Sequence, residues 1–90
     1  MDIFEKPASA LLDYDIDLSR WLPDGDTVVS AVPTIEPIES MVAAVGVNIL
    51  PDSLKVWVAD GIKGKTAKVS VFVVTEQGRK DPFEFLIRVI

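Results

Sequence analysis

The feature that most constrains this chain is a two-residue alternation of apolar and polar side chains in its last third. Between Thr66 and Thr75, alternate positions hold small or branched apolar residues, namely Ala67, Val69, Val71 and Val73. The intervening positions hold Thr66, Lys68, Ser70 and Phe72. A period of two places the first set on one face of a β-strand, whereas a helix would distribute it around its axis. The segment is therefore predicted to be a strand with one buried face.

The same alternation recurs along the chain. Tyr14, Ile16 and Leu18 alternate with aspartates, and Leu54, Val56 and Val58 alternate with Lys55 and Trp57. The last segment has one face of Phe83, Phe85, Ile87 and Val89. Two further stretches, residues 27–32 and 41–50, are mostly apolar and rich in branched residues. Strands are expected at all of these positions, and no convincing helical period appears.

Turn-forming residues separate the predicted strands. Gly25, the pair Pro51-Asp52, and the segments 60–65 and 76–79 each supply a turn or loop signal. Three further residues qualify the strand assignments, namely Pro33, Pro37 and Gly46. Because proline has no N–H to donate, we expect residues 34–40 to form a loop or a sheet edge. Gly46 indicates a bulge or bend within the segment 41–50.

These strands predict an all-β fold with about six or seven strands in one domain. Since no helices connect consecutive strands, we expect antiparallel pairing and two sheets that bury their apolar faces against each other. An immunoglobulin-like antiparallel β-sandwich without a disulfide fits best, and a small barrel is the alternative. We place the sandwich in residues 13–90 and an N-terminal arm in residues 1–12.

Composition restricts the possible function. The 90 residues include no cysteine and no histidine, so disulfides, thiol nucleophiles, Ser-His-Asp triads and metal sites built on those residues are excluded. A net charge of −5 argues against nucleic acid as a partner. We expect no catalytic or metal-binding residue, no cofactor, no small-molecule substrate and no membrane contact. Two acids among the first five residues do not fit a signal peptide, so the protein is expected to be made in a cytoplasm and not secreted by a signal peptide.

The net charge is unevenly distributed. Residues 1–52 hold ten acids and two bases, whereas residues 53–90 hold four acids and seven bases. If the fold separates these halves, an acidic face of one molecule could meet a basic face of another in head-to-tail docking that weakens with salt. If the halves interleave, the charges pair within one molecule.

Two segments resemble a pattern in small virion proteins of tailed bacteriophages. The first is the acidic strand that leads into Trp21-Leu22 and then, through Asp26-Thr27, into the strand ending at Ser30. The second is the C-terminal pair of hairpins, with Val56-Trp57-Val58 and the turn Thr75–Arg79. Together they span residues 13–89. The resemblance implies a small immunoglobulin-like protein of the virion, of the fibre–tail adaptor or head decoration (cement) type.

The resemblance further implies a structural, non-enzymatic role in docking on other virion proteins, with a possible homo-oligomer. A fibre–tail adaptor is the first interpretation and a capsid decoration protein the second. The alternative from another class is a carbohydrate- or host-surface-binding module, which requires an exposed aromatic platform. Trp57 is the candidate for such a platform.

Seven residues are candidate partner-binding residues. They are Asp13, Asp15 and Asp17 on one strand face, Trp57, and the basic residues Lys63, Lys65 and Lys68. Three carboxylates in a row could bind a basic partner or Ca²⁺, although the spacing does not fit an EF-hand, or they could simply keep a strand edge soluble. Trp57 could be half-buried core or an interface anchor. The lysines could be a solvated face or a docking patch for an acidic neighbour.

Asp24 and Asp26 flank Gly25. Paired acids can serve glycoside hydrolysis, but that chemistry needs a cleft that a sandwich of this size rarely holds. A turn is the preferred interpretation.

Overall fold

A computed structural model describes residues 2–90, and Met1, the first residue of the predicted arm, lies outside them. Residues 2–90 contain seven strands and one short 3₁₀-helix. The strands are β1 (Ile3–Lys6), β2 (Leu12–Asp17), β3 (Val28–Glu36), β4 (Val42–Ile49), β5 (Ser53–Asp60), β6 (Thr66–Thr75) and β7 (Lys80–Val89), and the 3₁₀-helix is η1 (Ile38–Ser40).

The strands form two sheets that pack as a sandwich. One sheet has the order β1-β7-β6-β3, and the other has the order β2-β5-β4. With β2 to β7 equated with strands B to G, these orders match the B-E-D and C-F-G sheets of the immunoglobulin fold. The predicted all-β, immunoglobulin-like sandwich of about seven strands is therefore confirmed.

The expectation of purely antiparallel pairing was wrong at one place. β1 runs parallel to β7, with Ile3 beside Leu86 and Lys6 beside Val89. A parallel pair needs a long connection between its strands, and here the remainder of the domain supplies it. Part of the segment that we expected to be an N-terminal arm thus contributes an edge strand to the sandwich.

β1 is held from both sides. Phe4 lies 4.9 Å from Tyr14 and 5.7 Å from Phe85 between ring centroids, so it packs into the aromatic seam between the sheets. Lys6 is fully buried, and its Nζ donates to the carbonyl of Pro7 at 2.7 Å. Burial lowers the pKa of Lys6, and the nearby charge of Asp60 opposes that effect.

β3 is longer than the sequence predicted. It continues through Pro33 to Glu36, and of the two alternatives for residues 34–36, a loop or a sheet edge, the structure has the sheet edge. The strand can include Pro33 because β3 is an edge strand, the place in a sheet where a residue without an N–H is tolerated. A register shift between Val28 and Ser30 adds a bulge, which together with the proline makes this edge a poor template for further strand addition.

Of the two alternatives predicted at Gly46, a bulge or a bend, the structure has a bulge within one continuous strand. The register of β4 against β5 shifts between Ala44 and Gly46, which leaves Val45 as the extra residue. As the inserted residue, Val45 points into solvent, and 59% of its surface is exposed.

The core lies where the alternation predicted it. The inward faces of β5 and β6 are completely buried, and they are joined by the second half of β7. The buried apolar residues are Leu18, Val42, Leu54, Val56, Val58, Ala67, Val69, Val71, Val73, Phe85, Ile87 and Val89. Trp21 covers one end of this core, with its ring 5.1 Å from that of Phe83 in an edge-to-face arrangement.

The acidic and basic halves of the sequence interleave. β2, from the acidic half, pairs with β5, from the basic half, and Lys55 of β5 bonds Asp13 of β2. Arg79–Asp26 and Arg88–Glu5 also join the two halves. Much of the charge asymmetry is therefore compensated within one molecule, and any docking by charge must rest on smaller groups of residues.

Within residues 2–90, no helix has the length and hydrophobicity needed to cross a membrane.

Candidate partner-binding surface

The seven predicted partner-binding residues lie in three places. Asp13, Asp15, Asp17 and Trp57 lie on the outer side of the sheet β2-β5-β4. Lys68 lies on the outer side of the other sheet, and Lys63 and Lys65 lie in the loop between β5 and β6. The structure thus brings together four of the seven, and it separates them from the lysines.

The register of β2 against β5 builds the first group. Asp13 lies directly opposite Trp57, and Asp15 lies directly opposite Lys55. The Lys55 ammonium donates to Asp13 Oδ2 at 2.8 Å and lies 3.3 Å from Asp15 Oδ1. Residues opposite each other on one face of a sheet are neighbours, so the alternation in the sequence translates directly into this cluster.

Lys55 relieves the repulsion between the aspartates. Its hydrogen bond lowers the pKa of Asp13, and the bonds to Asp13 and Asp15 raise the pKa of Lys55. The side chains keep about a third or more of their surface exposed, so water and salt screen the pair. The cluster therefore stays accessible and stays negative overall, with two carboxylates for one ammonium.

Asp17 is held differently. Its carboxylate accepts the N–H of Ser19 at 2.9 Å, and this hydrogen bond lowers the pKa of Asp17. It lies opposite Ser53 in the register, beyond the reach that Lys55 has to the other two aspartates. Asp17 thus ends β2 and adds a third carboxylate to the row.

Trp57 lies outside the sandwich core, on the outer face of β5, and is half-buried there. Its partner in β4 is Gly46, which has no side chain to compete for the space beside the indole. The indole N–H donates to Asn48 Oδ1 at 2.7 Å, which fixes the ring against the sheet. A rigid, partly exposed aromatic next to charged groups has the properties of an interface anchor.

A groove borders this face at the seam between the sheets. Its volume is about 350 Å³, and Asp15 and Asp17 line one side of it. The apolar part of the lining comes from Phe4, Ile16, Phe83 and Phe85, and the remaining lining residues are Asp2 and Glu84. An apolar floor with an acidic rim suits a segment that carries both apolar and basic side chains.

The predicted lysines do not form one patch. Lys68 lies 3.3 Å from Glu84, whose pKa is lowered by hydrogen bonds from Ser70 and from Lys68. Lys63 and Lys65 are exposed and make no ion pair within residues 2–90. Only the latter two remain available to an acidic partner.

One buried carboxylate was missed by the sequence-based predictions. The side chain of Asp26 is completely buried, and it accepts hydrogen bonds from Thr27 N at 3.0 Å and Gln77 N at 3.1 Å. Arg79 Nη1 donates to its second oxygen at 2.9 Å. Asp26 therefore ties the turn before β3 to the hairpin between β6 and β7. The expectation of a turn residue holds, and the only signal of the added role is a lone arginine in the hairpin turn.

Within the described residues 2–90, no group of three or more acidic side chains is arranged to hold a metal ion. Of the three aspartates considered for Ca²⁺, Asp13 and Asp15 instead face Lys55, and Asp17 accepts the N–H of Ser19.

Comparison with known proteins points to one class of protein. A protein-family model described as "Podophage GP4 fiber-tail adaptor protein gp77" matches residues 6–88, which is nearly the whole chain. No curated protein matches the sequence.

Proposed function

Because the chain belongs to the podophage fibre–tail adaptor family, and is thus a structural component of the virion, we propose that it joins fibre and tail by protein–protein docking without enzymatic activity. The docking surface in this proposal is the outer face of the sheet β2-β5-β4, with Trp57 as the anchor and the Asp13–Asp15 pair beside it. The family match carries the proposal, and the shared face of these residues supports it.

The partner of this face carries apolar and basic side chains. Trp57 offers an apolar ring whose position is fixed by Asn48, so little conformational entropy is lost when a partner covers it. The surrounding carboxylates exceed Lys55 in number, so a basic group of the partner gains attraction there. The adjoining groove, with its apolar floor and acidic rim, extends the same preference.

Individual contacts of this kind are weak, and repetition strengthens them. In a symmetric particle, identical contacts recur, and contacts that are linked in one particle add their free energies without new chemistry. The adaptor therefore acts by multivalency.

The test uses particles that lack this protein and are supplied with it in purified form. Trp57→Ala, and separately Asp13→Asn with Asp15→Asn, should reduce fibre attachment at least about tenfold at a fixed adaptor concentration. Fibres per particle are counted by electron microscopy, and incorporated adaptor is quantified by mass spectrometry. Phe72→Ala is the matched control, since this aromatic is 45% exposed on the other sheet.

Other results would identify a different role. Equal loss with Phe72→Ala and Trp57→Ala would show that the outer face of β2-β5-β4 is not the docking surface. Copy numbers in the hundreds, located on the head, would indicate a decoration protein. Binding of the isolated protein to glycans, lost with Trp57→Ala, would indicate a carbohydrate-binding module.

A further inference from the structure

β7 is covered by β1 over only part of its length. β7 runs from Lys80 to Val89, whereas β1 pairs only with residues 86–89. On the side away from β6, no strand within residues 2–90 pairs with residues 80–85. This first part of β7 is therefore a sheet edge, although the strand order places β7 inside its sheet. We call residues 80–85 the open edge of β7.

The backbone of the open edge can bond a further strand. Leu86 N–H points away from β6 and donates to the Asp2 carbonyl at 2.9 Å. Alternate residues of a strand point their backbone groups to the same side, so Glu84 N–H and the Pro82 carbonyl share the direction of Leu86 N–H. No residue of β1 lies opposite either of them. Proline is tolerated where a strand needs no donor, so Pro82 also fits an edge.

The open edge borders the groove of about 350 Å³ at the seam between the sheets. The apolar floor of this groove consists of Phe4, Ile16, Phe83 and Phe85. Phe85 lies 5.7 Å from Phe4 between ring centroids, and Phe83 lies 5.1 Å from Trp21, so the floor is fixed by packing. A segment that pairs with the open edge would point every second side chain onto this floor.

The rim of the groove is acidic, and none of its lining residues is basic. The lining residues outside the apolar floor are Asp2, Asp15, Asp17 and Glu84. Ion pairs with Lys55 and Lys68 partly neutralise Asp15 and Glu84. Asp2 and Asp17 make no ion pair within residues 2–90. The rim therefore attracts a segment that carries basic side chains.

We propose that the open edge of β7 binds an extended segment of a partner protein by strand addition, and that apolar side chains alternate with basic ones in this segment. Its backbone bonds Glu84 N–H and the Pro82 carbonyl. Its apolar side chains cover the floor of the groove, and its basic side chains lie among the carboxylates of the rim. The inference deepens the proposed function and rests on it for the source of the segment, another virion protein.

The added segment is short. At about 3.3 Å per residue, the open edge spans roughly 20 Å. β1 closes it at one end, where Leu86 bonds Asp2, and Pro82 offers no N–H near the other. A single site of this length should bind with a Kd of about 100 μM, and repetition in the particle should strengthen the attachment.

The test uses the purified chain and a synthetic peptide with blocked termini in which three valines alternate with three arginines. Fluorescence anisotropy of the labelled peptide should show saturable binding below about 1 mM at about 50 mM salt. Hydrogen exchange measured by NMR should slow at least about tenfold at the Glu84 amide when the site is saturated. Exchange at the Lys63 amide, in the loop between β5 and β6, should not change. Protection of Glu84 distinguishes strand addition from attraction by charge alone.

A matched pair of double variants tests the acidic rim. Asp2→Asn with Asp17→Asn should weaken peptide binding at least about fivefold. The asparagine oxygen at position 17 can still accept the N–H of Ser19, so the end of β2 is preserved. Asp24→Asn with Asp52→Asn makes the same change in net charge outside the groove and should leave binding intact. Circular dichroism checks that both variants are folded.

Three results would overturn the proposal. They are the absence of saturable binding up to about 1 mM peptide, binding without protection of the Glu84 amide, and equal weakening by the two double variants. The proposed function fails separately, because its test counts fibres on particles. Loss of fibres with Trp57→Ala but no peptide binding would refute strand addition alone. Peptide binding with protected Glu84, but no loss of fibres with Trp57→Ala, would refute only the docking face.

Discussion

At the scale of the residue, Gly61 shows how one position can be reserved for glycine. Its φ of +120° lies outside the range that residues with a side chain adopt comfortably. A Cβ there would lie 2.7 Å from Val89 Cγ2 and 3.0 Å from Val42 Cγ2. Both valines belong to the core, so they have little room to move. The chain can leave β5 and pass so close to β7 only because this residue has no side chain.

Substitution of Gly61 by alanine should therefore destabilise the fold by about 3 kcal/mol, from backbone strain and overpacking combined. Gly64→Ala is the control, since Gly64 also has a positive φ, +90°, but no atom within 4 Å of the added methyl group. Gly64→Ala should lower the free energy of unfolding by about 1 kcal/mol, because only backbone strain opposes it. Urea unfolding measures both, and equal costs would contradict the role assigned to the valines.

At the scale of the element, β1 decides where the domain begins. It has only four residues, and its parallel pairing with β7 would be marginal alone. The packing of Phe4 against Tyr14 and Phe85 supplies the additional stabilisation. We therefore propose that the domain starts at residue 3 rather than residue 13, and that only the residues between β1 and β2 form an arm.

Phe4→Ala tests this boundary. It should lower the free energy of unfolding by about 2 kcal/mol, because it removes most of a ring packed in the seam. Ile3→Ala on the same strand is the matched control, since Ile3 is 62% exposed, and it should change stability by no more than about 0.5 kcal/mol. Thermal and urea unfolding give both values. If Phe4→Ala leaves the free energy of unfolding unchanged, residues 3–6 are an arm that does not dock on the sandwich.

At the scale of the whole molecule, the carboxylates connect stability to pH. Burial alone would raise the pKa of Asp26, but hydrogen bonds from Thr75, Gln77 and Arg79 outweigh it and hold the pKa below the ordinary value of 3.8. The pKa values of Asp13, Asp17 and Glu84 are lowered by their own hydrogen bonds. A carboxyl with a lower pKa in the folded state stabilises the fold above its unfolded pKa, and this contribution is lost as pH falls through the folded value.

The melting temperature should therefore stay high near neutral pH and fall as the pH drops below about 4. Asp26→Asn should lower it by about 5 °C or more at neutral pH, because the buried amide cannot replace the carboxylate opposite Arg79. The melting temperature of the same variant should also fall less steeply than that of the wild type as the pH drops below about 4. Asp24→Asn, on the exposed side of the same turn, is the control and should follow the wild-type curve. Parallel curves for wild type and Asp26→Asn would show that Asp26 does not contribute to the acid response.

Most of the strands could be predicted from the sequence, because a period of two is a local property that needs no knowledge of the partner strand. The core of β5, β6 and β7 and the shared face of Asp13, Asp15 and Asp17 follow from this period, and the bulge in β4 follows from the glycine at position 46. The pairing of Asp13 with Trp57 also depends on register, which becomes definite only when the sheet assembles.

Other features were decided by the tertiary structure, because they join residues that are far apart in the chain. The parallel pairing of β1 with β7, the strand that continues through Pro33 and the bond between Asp26 and Arg79 depend on which edges and cavities the assembled sandwich leaves open. Charge is the clearest case. The sequence by itself determined an acidic first half and a basic second half, and the fold interleaved them, since β2 lies beside β5. The row of aspartates on β2 and the exposed Lys63 and Lys65 after β5 came to lie in separate places, and only the three-dimensional arrangement could separate them in this way.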